Sequence, residues 1–426
     1  MPVSKPMSTW RFVHAADLHL DSPFVGLKNY QEKLARDLLE ATFTAFQRIA
    51  DLCLESSAEF LLLAGDLFDG PGRSLRAQLR LRQELARLAA AGIETFIVHG
   101  NHDHLGGKSV TLNWPPGVHV FPAGQVEMAE VRRRGATLAR IYGLSHTGPE
   151  EPDNLARKFP APEKGPLAIG LLHANLDRNA EHENYAPCAL ADLTSQGFDY
   201  WALGHIHRPG IRREAQPAVV YAGNPQGRHV KEAGPRGCYL VEVDGHLALP
   251  RFHPTGVIGW DEAIQDVSAL ENIDQVLQAL EGTLEERRPG PDQQGLILRL
   301  SLQGRGPVHR ELQLPGTVDE ILEQLRDTGQ SREPWVWVER LDAATASAWD
   351  LAALSRGTDL VATLLGQLAG ARGSQETSLE FQRLLQPLYH HPLAHRYLPP
   401  LESLDNPDLL NEVAADLLGR LLPEED

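Results

Sequence analysis

Phe60-Leu61-Leu62-Leu63-Ala64-Gly65-Asp66-Leu67-Phe68-Asp69 is a five-residue apolar run that ends in a glycine and two carboxylates. A run this short and this apolar suits a strand buried on both faces, and polar residues directly after it belong on a loop at the strand's exit. The same grammar recurs along the front of the chain. Residues 11–15 form a strand-like run before Asp17-Leu18-His19, and 95–98 precede Gly100-Asn101-His102-Asp103. Residues 167–172 precede His173, and 200–203 precede Gly204-His205-Ile206-His207. Between the early runs, residues 31–54 and 74–91 carry apolar positions at helical spacing, Leu34, Leu38, Phe43, Phe46, Ile49 and Leu52 in the first. Alternation of this kind predicts a layered α/β domain with helices packed on a sheet. Beyond Trp114-Pro115-Pro116-Gly117 the predicted strands are shorter and closer together: 118–121, 137–142, 219–221 and 239–243.

Five motifs at strand exits occupy the usual ligand-binding edge of an α/β sheet. In Asp17-x-His19 and His205-x-His207, spacing by two in extended backbone points both side chains the same way, so each pair can grip one ion or two adjacent ions. Gly65, Gly100 and Gly204 are read as residues that let the backbone turn sharply and bring the ligands inward. Carboxylate, amide and imidazole donors without thiolate suit Mn, Fe or Zn rather than a structural zinc site. Two ions about 3.5–4 Å apart can clamp both the attacking and the leaving oxygen of a phosphoryl transfer.

This series resembles the calcineurin-like metallophosphoesterase superfamily, and within it the SbcD-type DNA-repair exonucleases. The opening His14-Ala15-Ala16-Asp17-Leu18-His19-Leu20-Asp21-Ser22-Pro23-Phe24 is most similar to the bacterial YhaO-type branch. The resemblance implies a four-layer αββα sandwich with a small α/β capping domain and a helical C-terminal region. It places Asp17, His19, Asp66 and His207 around one divalent ion, and Asp66, Asn101, His173 and His205 around the other, most readily Mn²⁺, with Fe²⁺, Zn²⁺ or Mg²⁺ as alternatives. It makes His102 the catalytic histidine that stabilises the scissile phosphate and protonates the leaving oxygen. A cationic imidazole needs a carboxylate beside it, for which Asp69 is the candidate and Asp103 the runner-up. Tyr221-Ala222-Gly223-Asn224-Pro225-Gln226 resembles a family loop that approaches substrate, so Asn224 and Arg228 are candidate substrate contacts.

Around this core, residues 1–255 are expected to form the nuclease domain, 256–342 the capping domain and 343–426 the helical region. In the second segment Asn272 is placed to cap a helix bearing Ile273, Val276, Leu277, Leu280 and Leu284, and 296–303 and 335–341 read as strands. A last helix opens with Asn406-Pro407-Asp408. The resemblance implies that the C-terminal region docks the coiled coil of an SMC-like ATPase, that DNA is the substrate, and that the catalytic domain can homodimerise. Competing readings are a small-molecule phosphodiesterase or phosphatase, and a non-catalytic docking subunit.

The chain's 426 residues carry a net charge of −17, which at first argues against a DNA binder. The charge is uneven: residues 1–250 hold 26 basic against 28 acidic side chains, and the remainder 14 against 29. Arg73, Arg76, Arg80 and Arg87 on one helix face, with Arg132–Arg134, Arg212, Arg213, Arg228 and Lys231, offer phosphate contacts in the nearly neutral front. Three widely spaced cysteines and no apolar leader point to a reducing, cytoplasmic setting, and no apolar run is long enough for a membrane span.

Overall fold

The computed structural model describes residues 9–22, 32–70, 74–106, 112–177, 185–214, 216–347, 354–357 and 359–371, with four further positions between 383 and 389. Two compact units result: Met1–Asp261 with Pro289–Ile297, and Glu262–Arg288 with Leu298–Asp426.

The first unit is built on two six-stranded sheets. Its strands are β1 (Trp10–Ala15), β2 (Phe60–Ala64), β3 (Glu94–Val98), β4 (Val118–Val120), β5 (Glu127–Arg133) and β6 (Ala136–Leu144). They continue with β7 (Leu167–His173), β8 (Tyr200–Gly204), β9 (Gly210–Arg213), β10 (Ala218–Tyr221), β11 (Gly237–Asp244) and β12 (Leu247–Pro254). One sheet has the order β12-β11-β1-β2-β3-β4 and the other β5-β6-β7-β8-β10-β9. Within them β1, β2, β3 and β4 run parallel, as do β6, β7, β8 and β10, so the motif-bearing strand ends of each sheet lie at one edge.

Period-two alternation explains why these strands are apolar throughout. Phe60, Leu62 and Ala64 face a shared core with Phe12, Phe96, Ile169, Leu171, Tyr200 and Val220 between the sheets. Leu61 and Leu63 point the other way, onto helices α1 (Glu32–Glu55) and α2 (Leu75–Ala90) through Phe46, Ile49, Leu81 and Leu85. On the far side, Trp201 and Leu203 of β8 pack under Leu155, Phe159, Leu193 and Phe198, so a short 3₁₀ turn and the helix α3 (Leu190–Thr194) form the fourth layer. His14 of β1 hydrogen-bonds Tyr200 Oη of β8 at 3.0 Å across the core, and burial lowers its pKa to about 3, which keeps it neutral.

The second unit is α/β as well. It contains α4 (Ile273–Arg287), α5 (His309–Leu312), α6 (Thr317–Gln330) and α7 (Leu360–Ala371), and most of a three-stranded sheet of β13 (Ile258–Asp266), β14 (Gly295–Arg305) and β15 (Trp335–Ala346) in that order. Asn272 caps α4 as its sequence suggests, accepting the Gln275 N–H at 3.0 Å, and Val276, Leu280 and Leu284 are buried. The expected helix after Asn406 lies outside the described residues. Among the described residues no helix is long and apolar enough to cross a membrane, and Cys53, Cys188 and Cys238 are buried free thiols.

Candidate metal centre

All five motifs converge at the exits of the parallel strands. Asp17 N–H donates to Gly65 O and His19 N–H to Asp66 O, both at 3.0 Å, stitching the loop after β1 to the loop after β2. The sharp backbone is carried largely by the donor residues themselves: φ is positive at Asp17 (52°), His19 (41°), Asp66 (51°) and His205 (98°). Left-handed backbone outside glycine is strained and marks a constrained site.

The glycines act differently from the expectation above. Of the three, only Gly65 has positive φ (92°). Gly100 and Gly204 are required by space. A Cβ on Gly100 would strike Asp66 Oδ1 and lie 2.8 Å from His173 Cδ2, and one on Gly204 would overlap the Ala64 carbonyl and lie 2.9 Å from His173 Nδ1. We expect Gly204→Ala to cost about 1–3 kcal/mol and to reduce metal uptake, read by thermal unfolding and metal content; parent-like values for both would contradict the close fit.

The donor atoms form contiguous groups. Ligand atoms of Asp17, His19 and His207 lie within 4.8 Å of one another, as do those of Asp17, Asp66 and His173. Asp17 is common to both groups, and Asp66 Oδ2 is 3.9 Å from His19 Nε2 and 3.4 Å from His173 Nε2. Asn101 Oδ1 stands 3.1 Å from His173 Nε2. His205 holds Asp17 through its backbone N–H (3.0 Å to Oδ1), and its ring meets His173 edge-on at 5.3 Å.

This arrangement fits cations. His19 Nδ1 faces Asp69 Oδ1 at 3.1 Å and His207 Nδ1 faces Glu232 Oε1 at 2.6 Å, so both rings hold a proton on Nδ1. Their Nε2 atoms then confront each other at 3.2 Å. Burial lowers the His19 pKa to about 4, so its Nε2 is a bare lone pair, and two such nitrogens need a proton or a metal between them. Acceptors facing one another in a buried site are the mark of a cation site.

His173 reports the competition between proton and metal. Burial disfavours its charged form, but Asp66, by charge and hydrogen bond, and Asp17 outweigh that and raise its pKa from 6.5 to about 9. The stabilisation that this gives the metal-free protein is complete below pH 6.5 and is lost as pH rises through about 9. Metal affinity runs the opposite way, because the metal displaces the proton. Titration of Mn²⁺ into metal-free protein at pH 8 should release about one proton, with affinity rising roughly tenfold per pH unit towards pH 9. A pH-independent affinity would exclude this coupling.

His102 is different: its side chain is 43% exposed, its ring meets the His19 ring edge-on at 5.1 Å, and its backbone N–H donates to Asp66 Oδ1 at 3.0 Å. Its Nδ1 is 3.6 Å from Asp69 Oδ1. Asp69 therefore serves His19 and His102 together, and it also accepts from Ser22 Oγ (2.8 Å) and Arg228 Nη1 (3.2 Å). Burial works against its charge, but His19 and Arg228 outweigh it and hold the carboxyl well below the usual range. Asp103, the runner-up, is engaged elsewhere. Fully buried, it accepts from the N–H groups of Leu67 (3.0 Å) and Gly100 (2.9 Å) and from His99 Nδ1 (2.9 Å), tying two motif loops together.

Asn224 is turned into the fold. Buried to 1%, it donates from Nδ2 to Gln226 O (2.9 Å) and Glu232 Oε2 (2.8 Å), and its Oδ1 accepts from Arg236 Nη1 (3.1 Å). Arg228 is at the site but held within it, between Asp69 and Glu232. Glu232 itself carries no motif signal: in His229-Val230-Lys231-Glu232 it reads as part of a solvated charge run, yet only 4% of it is exposed. His146, likewise unmarked, sits behind the centre with Nε2 at 2.7 Å from His173 O.

The helix arginines are also accounted for within the fold. Arg76 pairs with Asp21 and Glu40, Arg80 with Glu40, and Arg87 with Asp51 and Glu84, clamping α2 onto α1 rather than standing ready for phosphates. Arg132 and Arg133 pair with Glu130 and Glu59. Arg73 lies outside the described residues.

Comparisons with known proteins follow this geometry. A calcineurin-like phosphoesterase model matches residues 11–209, and a model of the middle domain of metallophosphoesterase YhaO matches residues 260–346. The chain is 38% identical over 341 residues to an uncharacterized metallophosphoesterase YhaO of Bacillus subtilis (strain 168), spanning 80% of this chain and 83% of that one. It is 28% identical over 258 residues to the DNA double-strand break repair protein Mre11 of Aeropyrum pernix, spanning 56% of this chain and 59% of that one. The corresponding protein of Sulfolobus acidocaldarius is 23% identical over 315 residues, spanning 69% and 76%.

Proposed function

Because the chain belongs to the calcineurin-like metallophosphoesterase family, we propose that it is a metal-dependent DNA nuclease acting in DNA repair. The observation that carries the chemistry is the half-exposed His102 beside a buried carboxylate–imidazole cluster. Similarity to proteins named for double-strand break repair supports DNA as the substrate. Two bound divalent ions, Mn²⁺ in this reading, supply Lewis-acid activation and charge neutralisation at the phosphoryl group.

The chain's own residues supply the rest. Asp17, His19, Asp66, Asn101, His173, His205 and His207 would hold the ions, with Asp66 within reach of both His19 and His173. Asp69 takes the Nδ1 side of His102, which leaves Nε2 to face the substrate and donate a proton to the leaving oxygen. Asp69 also fixes the His19 ring, so metal holding and proton delivery share one carboxylate. An SMC-like ATPase docked through residues 343–426, homodimerisation and a cytoplasmic location belong to the same proposal.

Incubation of the chain with end-labelled DNA and Mn²⁺, beside a His102→Ala control and an aryl phosphodiester, tests it. DNA shortened by the parent alone is the expected result. Hydrolysis of the aryl diester with DNA left intact would replace the nuclease by a small-molecule phosphodiesterase. A pull-down of the ATPase with and without the residues after 345 tests the docking.

A further inference from the structure

The two carboxylates that orient His19 and His207 converge on one guanidinium. Asp69 Oδ1 faces His19 Nδ1 at 3.1 Å, and Glu232 Oε1 accepts from His207 Nδ1 at 2.6 Å. Arg228 joins them, donating from Nη1 to Asp69 Oδ1 at 3.2 Å and from Nη2 to Glu232 Oε1 at 3.4 Å. Each end of this bridge is fixed a second time. Ser22 Oγ donates to Asp69 Oδ2 (2.8 Å) and accepts from Arg228 Nη1 (3.1 Å), and the Arg228 backbone N–H donates to Glu232 Oε2 at 2.8 Å. Arg236 pins the same loop, donating from Nη1 to His207 O (2.6 Å) and from Nε to Glu232 O (2.8 Å).

The opposite side of the centre is held by other means. His173 Nδ1 faces the carbonyl of Ala64, the last residue of β2, at 2.9 Å. That partner is a neutral main-chain group fixed by the sheet, and it needs no counter-charge. Asp69 and Glu232 are charged side chains on loops, 29% and 4% exposed, and two such carboxylates repel unless a cation lies between them. A planar guanidinium serves two carboxylates at once through separate N–H groups, which the point charge of a lysine does not. Without Arg228 neither carboxylate keeps its place. The rings they orient then lose their alignment, and these are the two rings whose Nε2 atoms stand 3.2 Å apart.

We infer that Arg228 is a positioning residue for one ion of the pair: through Asp69 and Glu232 it sets the rings of His19 and His207, and the side of the centre that contains Asn101 and His173 does not depend on it. The inference rests on the two-ion reading and deepens it: the two ions differ in what stands behind their ligands, so the affinity of one can change without the other.

Titration of the metal-free chain with Mn²⁺ tests it, with bound ions counted by equilibrium dialysis and the spin coupling of paired Mn²⁺ followed by electron paramagnetic resonance. The parent should bind two ions and show the coupled signal. In Arg228→Met one ion should keep its affinity and the other weaken about 10–100-fold. At a concentration that just saturates the parent, this variant should then hold about one ion and lose the coupling. Arg228→Lys, which keeps the charge without the fork, should weaken the same ion less, and it decides by the same readout if the methionine variant does not fold. Equal weakening of both ions, as a general loosening of the fold would give, overturns the role of Arg228 while the two-ion centre stands. Two ions held at parent affinity in both variants would do the same. A parent that binds one ion or none sinks the two-ion reading, and the inference with it.

Discussion

His102→Ala should lower kcat on a phosphodiester about 10²–10⁴-fold, the usual worth of a positioned general acid, while metal content and thermal stability stay at parent values. Selectivity for chemistry over structure follows from how the residue is attached. Its hydrogen bond to the cluster is the backbone N–H to Asp66 Oδ1, which alanine keeps. Its ring is 43% exposed and is not needed to fill a core. Metal analysis beside kcat separates the possibilities: loss of metal in step with activity would make His102 a ligand, and a loss of less than threefold would remove it from the reaction.

Glu232→Ala should have the largest effect on the fold. The carboxylate is 4% exposed and accepts from His207 Nδ1 (2.6 Å), Asn224 Nδ2 (2.8 Å), the Arg228 N–H (2.8 Å) and Arg228 Nη2 (3.4 Å). Burial opposes its charge, yet His207 and Arg228 overcome that and hold the carboxyl well below its ordinary 4.5. A depressed pKa contributes stability that is present above the unfolded value and lost as pH falls through the folded one, so Glu232 supports the fold throughout the neutral range. Its removal takes one of the two carboxylates from the partly buried Arg228, leaves Asp69, and frees the His207 ring. We expect a loss of about 3–5 kcal/mol and a further 10–100-fold loss in metal affinity, by denaturant unfolding of the metal-free protein and by metal titration. Glu232→Gln, which keeps an acceptor for His207 without the charge, should fall between; equal effects of both variants would show that charge alone matters.

Legibility in the sequence tracked chemical specificity. Asp17, His19, Asp66, Asn101, His173, His205 and His207 could be found because each follows a strand-like run, and the structure gathers them at one edge. The strands around them were legible where both faces are buried, as in Phe60–Ala64. They were not where the chain is half exposed: Glu127–Arg133 is rich in charge, and Leu247–Pro254 contains prolines and forms the sheet edge. Glu232 escaped for another reason. A carboxylate that orients a histidine or two loops owes its role to partners distant in sequence, 25 residues for Glu232 and His207, and no local periodicity records that. The arginines of α2 misled in the opposite direction, since a basic face looks the same whether its partners are phosphates or the acidic residues of α1.

The division of donors between the two sheets bears on how the protein is made. Asp17, Asp66 and Asn101 leave the ribosome first, whereas His173, His205, His207 and Glu232 emerge only after the second sheet is under way. Even β1 waits for a partner, because β11 pairs along it from Trp10↔Val243 to His14↔Tyr239. Synthesis proceeds from the N-terminus, so a nascent chain holds half of the metal centre and nothing to close it. A chain stopped before β7 lacks His173, His205 and His207, three of the seven candidate donors, whatever its first sheet has achieved.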